Sequence, residues 1–188
     1  MNAEGTGDVA RSDADATTWP SGQATTTDEM LAAAREYAEQ FAPARVGARP
    51  RRRVAVVACM DVRLDLFGML GLAAGDAHVL RNAGGTVTDD VERSLVVSQG
   101  LLGTEEVVLV HHTCCGLLGD EEELRGRLTA AGTALPPFPL GAFADLEADV
   151  GDGVRRLRAS PYLRHRDRIR GFVFDVESGR LHEVRVEP

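Results

Sequence analysis

Apolar residues cluster along the chain in short runs that are continuous rather than alternating. Val54-Ala55-Val56-Val57-Ala58 has the pattern of a strand buried on both faces. Ala77-His78-Val79-Leu80-Arg81 predicts a second strand, ending at Asn82-Ala83-Gly84-Gly85, and Glu106 to His111 predicts a third. Arg170 to Val176 and Arg180 to Val186 read as strands joined by Glu177-Ser178-Gly179, a hairpin turn.

Between these runs the spacing changes to that of helices. Thr27 or Asp28 can cap a helix running to about Phe41, with Met30, Ala34, Tyr37 and Phe41 along one face. Pro43 and Pro50-Arg51-Arg52-Arg53 form a connector to the first strand, and the three arginines read as a solvated edge. Leu64 to Leu72 predicts a short helix ending at Gly71 or Gly75. Thr88-Asp89-Asp90 caps a helix to about Leu102, stopped by Gly103. Asp120 to Ala131 is helical and ends before the breaker Pro136-Pro137. A last helix spans Phe143 to Leu157, weakened in its middle by Gly151 and Gly153.

Strands alternating with helices predict an α/β fold with a central, mostly parallel β-sheet flanked by helices and right-handed crossovers. Ligands bind such sheets at the carboxyl ends of the strands. Residues Met1 to Thr25 are rich in Ala, Asp, Gly, Ser and Thr without apolar periodicity. They are expected to form a disordered N-terminal tail, with Trp19-Pro20 as its one apolar element. Residues 26–188 are expected to form a single catalytic domain.

Composition narrows the picture. The chain has 188 residues, 44% hydrophobic and 27% charged, which suits one soluble globular domain with a full core. The net charge of −8 argues against a nucleic-acid partner, which would call for a basic face. No apolar stretch is long enough to span a bilayer, and the N-terminus does not resemble a signal peptide. Three cysteines without disulfide-type spacing point to a reduced, cytoplasmic protein.

The candidate chemistry lies at two strand ends. All three cysteines fall in Cys59-Met60-Asp61-Val62-Arg63 and His111-His112-Thr113-Cys114-Cys115-Gly116. Two thiolates and an imidazole, with a carboxylate nearby, suit tetrahedral Zn²⁺. His-x-x-Cys after a strand lets two ligands reach one ion, and Cys59 would supply a third. The fourth position is then open for water or Asp61, as in a catalytic rather than a scaffolding site. Both His111-x-x-Cys114 and His112-x-x-Cys115 satisfy the spacing, and Gly116 slightly favours the second. Singly, each of these residues is an ordinary core thiol or histidine; their convergence at one sheet edge favours a metal.

Asp61 and Arg63, two apart on extended backbone, can pair. An aspartate held by Arg stays ionised and can accept a hydrogen bond from a metal-bound hydroxide, or swing onto the metal and close the site. Asn82-Ala83-Gly84-Gly85 reads better as a close-packed turn beside the pocket than as a phosphate cradle, because it lacks the nucleotide-binding glycine pattern. His78, His165 and His182 have no partner pattern and read as structural or surface residues.

Taken together, Cys59-Met60-Asp61-Val62-Arg63, Arg81-Asn82-Ala83-Gly84-Gly85 and His112-Thr113-Cys114-Cys115-Gly116 resemble the motifs of the β-class carbonic anhydrases. The resemblance runs from about Asp28 to Val186 and is strongest to the compact bacterial members, which also match Arg170-Gly171-Phe172-Val173-Phe174-Asp175. It implies a parallel sheet core with a C-terminal strand added at its edge. It also implies a homodimer or multiple of dimers, with the N-terminal helix embracing the partner. It makes Cys59, His112 and Cys115 the zinc ligands and Asp61 and Arg63 the catalytic dyad, with Asp61 able to bind the metal as well. The implied activity is zinc-dependent, reversible hydration of CO₂ to bicarbonate and a proton, by zinc-bound hydroxide. A carbonyl sulfide or carbon disulfide hydrolase on the same scaffold is the alternative, and a non-catalytic zinc-binding regulatory protein is a third reading. Many relatives carry Asp where this chain has Cys114, which places a thiol beside a ligand.

Overall fold

The computed structural model describes residues 24–41 and 47–187. The chain falls into two compact units, residues 1–44 and 45–188. Except for residues 24 and 25, the expected tail, Trp19-Pro20 included, lies outside the described residues, as does Pro43 of the connector.

In the first unit, α1 spans Thr26–Gln40. Its cap is Thr25, earlier than the Thr27 or Asp28 expected. Asp28 serves instead as the reciprocal member of a capping box: its N–H donates to Thr25 Oγ1 at 3.2 Å, and the Thr25 N–H donates to Asp28 Oδ2 at 2.8 Å. Met30, Leu31, Tyr37 and the capping Phe41 are exposed along this helix.

The second unit is built on a five-stranded sheet. Its strands are β1 (Val54–Cys59), β2 (Ala77–Asn82), β3 (Glu106–His112), β4 (Ile169–Phe174) and β5 (Leu181–Val184). The order is β2-β1-β3-β4-β5. The first four are mutually parallel, and β5 returns antiparallel to β4 through the predicted hairpin. The helices are α2 (Leu66–Leu70), α3 (Asp89–Gly100), α4 (Glu121–Ala130) and α5 (Leu146–Ala159).

The continuous apolar runs are explained by two cores. Ala55, Val57, Val107 and Leu109 pack with Leu95 of α3 and Val150, Val154 and Leu157 of α5. Val56, Ala58 and Val110 face the other way, with Leu64, Leu66 and Phe143. Alternate residues of one strand therefore serve opposite layers, which is why no polar residue interrupts β1.

The last helix starts three residues later than expected. Asp145 caps it by accepting from the Ala148 N–H at 2.9 Å, and Phe143 is a core residue ahead of the helix instead. Gly153, read from sequence as a weak point, is a packing requirement: a Cβ there would lie 2.7 Å from Leu109 Cδ2. On β4, a Cβ at Gly171 would lie 2.3 Å from Val150 Cγ1. The two glycines let α5 lie close against β3 and β4, and that contact outweighs the helix propensity lost. Among the described residues no helix is long and apolar enough to cross a membrane.

Candidate metal centre

Cys59 is the last residue of β1 and His112 the last of β3, the strand beside it. Parallel pairing brings both to the carboxyl edge of the sheet, and the turn after β3 carries Cys115 back to them. The two sulfurs and a ring nitrogen of His112 all lie within 4.8 Å of one another, and all three residues are buried. Among the described residues this is the one group of three or more such donors.

The tautomer of His112 follows from its neighbour. Nδ1 lies 2.9 Å from the carbonyl oxygen of Thr113, which can only accept, so Nδ1 carries the proton. That leaves the lone pair on Nε2, a buried atom without a hydrogen-bond partner. Burial pushes the Cys115 thiol up to about 11, opposed by the Leu117 N–H and reinforced by nearby Cys59. Two buried sulfurs beside a buried nitrogen lone pair without a hydrogen-bond partner form a donor set suited to a cation. The donor set fits Zn²⁺.

Asp61 and Arg63 sit on the turn after β1. Arg63 Nε donates to Asp61 Oδ1 at 2.9 Å and Nη2 to Oδ2 at 2.7 Å, the parallel two-bond geometry of a strong carboxylate–guanidinium pair. The Arg63 N–H adds a third bond to Oδ1 at 2.9 Å. These bonds hold the Asp61 carboxyl well below the usual carboxylate range, chiefly through the guanidinium, although partial burial opposes them. Asp61 Oδ2 is 3.7 Å from His112 Nε2, so the ionised carboxylate borders the donor cluster without joining it.

The second possible register does not assemble. His111 points to the other side of the sheet, where its Nε2 is 3.2 Å from the Gly85 carbonyl and its Nδ1 is 3.3 Å from Asp149 Oδ2. Burial lowers its pKa to about 4. Cys114 is exposed, with a left-handed φ of +55°. Alternation along β3 separates the two histidines, so His111 and Cys114 take no part in the cluster.

Asn82-Ala83-Gly84-Gly85 is the close-packed turn expected. A Cβ at Gly85 would lie 2.9 Å from the Cys59 nitrogen and 3.1 Å from the Val110 carbonyl oxygen, so only glycine lets this turn back directly against both ligand strands. His78 bonds Ser98 Oγ at 2.7 Å and His182 lies 3.3 Å from Glu147, so both serve local structure. Sequence reading gave Arg81 no individual role. Its guanidinium reaches the carbonyl oxygens of Cys59 (Nε, 2.9 Å) and Asp61 (Nη2, 2.6 Å). The available signal was alternation: Ala77, Val79 and Arg81 share the face of β2 that looks toward the centre.

Comparison with known proteins identifies the family. A family model described as carbonic anhydrase matches residues 54–129. Beta-carbonic anhydrase 1 of Mycobacterium tuberculosis is 44% identical over 161 residues, covering 85% of this chain and 98% of that protein. The crystal structure of carbonic anhydrase from Streptococcus mutans matches with a TM-score of 0.80 and 39% identity, over 87% of this chain and 99% of that one. A carbon disulfide hydrolase of Acidianus sp. is 34% identical, over 77% of this chain and 84% of that protein.

Proposed function

The chain belongs to the β-class carbonic anhydrase family, and we propose that it catalyses the reversible hydration of CO₂ to bicarbonate and a proton at a zinc ion held by Cys59, His112 and Cys115. The observation that carries this reading is the buried two-sulfur, one-nitrogen cluster with an ionised carboxylate at its border. Zn²⁺ in such a site supplies the acidity that makes water nucleophilic near neutral pH.

The remaining work falls to the chain's own groups. Asp61, kept ionised by Arg63, offers a lone pair to a water O–H at the edge of the donor cluster and so orients the oxygen lone pair toward CO₂. Arg63 fixes the carboxylate by two side-chain bonds, so little reorganisation is needed when the reaction occurs. The donors are buried while Asp61 is partly open, which supports a reacting water at the boundary between core and solvent.

Hydrolysis of carbon disulfide is the second reading, supported by 34% identity to the Acidianus hydrolase. The same polarised water would attack the carbon of either molecule. Side-by-side turnover of CO₂, carbonyl sulfide and carbon disulfide by the zinc-loaded chain tests the choice. CO₂ as the fastest substrate supports the proposal, and turnover confined to the sulfur compounds overturns it. The three free thiols suit a reducing, cytoplasmic setting. The exposed apolar side chains of α1 suit burial in a homodimer or multiple of dimers, which light scattering of the full chain measures.

A further inference from the structure

We propose that Arg81 is a positioning residue for the metal centre, fixing the direction of the Cys59 thiol and the Asp61 carboxylate together by bridging the two main-chain carbonyls of their turn. This rests on the reading of Cys59, His112 and Cys115 as ligands.

The segment from Met60 to Arg63 leaves the sheet directly after β1, so the regular ladder ends at Cys59. The Met60 N–H still reaches the Asn82 carbonyl at 2.8 Å, and the Leu64 N–H closes the turn onto the Asp61 carbonyl at 3.1 Å. Among the described residues, the Arg81 guanidinium alone bridges the Cys59 and Asp61 carbonyls: Nε donates to Cys59 O at 2.9 Å and Nη2 to Asp61 O at 2.6 Å. A planar fork with fixed spacing between its N–H groups sets the distance between two carbonyls in a way that a single donor does not. Those carbonyls flank Met60, so the fork fixes the peptide orientations from which the Cys59 and Asp61 side chains project.

Arg81 is itself anchored, because β2 pairs with β1 in register up to Cys59–Asn82. The turn Ala83–Gly85 after it is wedged against the Cys59 nitrogen. Rigidity therefore passes from the β1–β2 ladder through one side chain into the turn. Groups that orient metal ligands from outside are worth about 10- to 100-fold in metal affinity. Asp61 has a further dependence: its Oδ2 is 3.7 Å from His112 Nε2, so a modest rotation of its peptide moves it from Arg63 toward the donor cluster.

The test uses the full chain as wild type, Arg81→Ala and Arg81→Lys. Zn²⁺ affinity is measured by competition with a chromophoric chelator, and the visible spectrum of the Co²⁺-loaded protein reports its coordination. Arg81→Ala is expected to bind Zn²⁺ about 10-fold or more weakly with an unchanged far-ultraviolet circular dichroism spectrum. Its Co²⁺ spectrum at neutral pH is expected to change as Asp61 enters the coordination, and the change should disappear in Arg81→Ala combined with Asp61→Asn. Arg81→Lys, which keeps the charge without the planar fork, is expected to recover only part of the affinity, and serves as the test variant should Arg81→Ala not fold. Wild-type affinity and spectrum in a folded variant would overturn the proposal. A wild-type chain that binds no Zn²⁺ would instead refute the ligand assignment on which it rests.

Discussion

Arg63 Nη2 donates to the carbonyl oxygen of Cys114 at 3.0 Å, joining the turn after β1 to the turn after β3. The bond uses the Cys114 main chain, and the left-handed conformation of that residue is part of the turn's geometry. The thiol itself is exposed, whereas Cys115 is buried beside Cys59 and His112. Cys114→Ser is therefore expected to keep one zinc per chain through dialysis, and Cys115→Ser to lose it. Elemental analysis of the two purified variants checks this; loss of zinc from Cys114→Ser alone would reverse the register.

Close packing of α5 on the sheet predicts a cost for one methyl group. At Gly171 a Cβ would meet Val150 Cγ1 at 2.3 Å and Val154 Cγ2 at 3.0 Å, and both are stiff β-branched side chains in a buried layer. Gly171→Ala is expected to destabilise the chain by about 1–3 kcal/mol, read from the midpoint of urea unfolding. An unchanged midpoint would show that α5 moves away from β4 without penalty.

Asp76 predicts a pH dependence of stability outside the donor cluster. Its carboxylate accepts from the Ala73 N–H at 2.8 Å and from Arg51 Nε at 2.9 Å, with Arg52 Nε 3.4 Å away. These contacts, the Ala73 N–H foremost, hold its pKa below the ordinary value. A folded pKa below the unfolded one stabilises the fold above the unfolded value of about 4 and loses that effect as pH falls through the folded value. The melting temperature of Asp76→Asn should thus lie furthest below that of the wild type near pH 7, and the gap should narrow below about pH 4. A gap that does not change with pH would contradict the assignment.

The strands were legible in sequence because burial on both faces leaves a short continuous apolar run rich in β-branched residues, as in Val54–Ala58. Helix ends were less so. Thr25, Thr27 and Asp28 all carry capping side chains, and which one caps depends on the reciprocal bonds of Thr25 and Asp28. Gly153 looked like a defect because its partner, Leu109, is 44 positions away in sequence. At the centre, the types and spacing of Cys59, His112 and Cys115 were enough to predict a metal. Choosing between His111 and His112 on residues alone required knowing which face of β3 each occupies. Arg81 was legible as part of a strand and a motif, and alternation gave its face, but its two partners are main-chain carbonyls, which carry no sequence signature.

The central claim is that an ionised Asp61, held by Arg63 beside the donor cluster, directs the attack on CO₂. The most direct test is stopped-flow CO₂ hydration by wild type and Asp61→Asn at equal zinc content. Asparagine keeps the shape of the side chain and removes the charge that accepts the hydrogen bond. The account predicts that kcat falls by about 10²-fold or more while zinc remains bound; hydration by Asp61→Asn at the wild-type rate would contradict it.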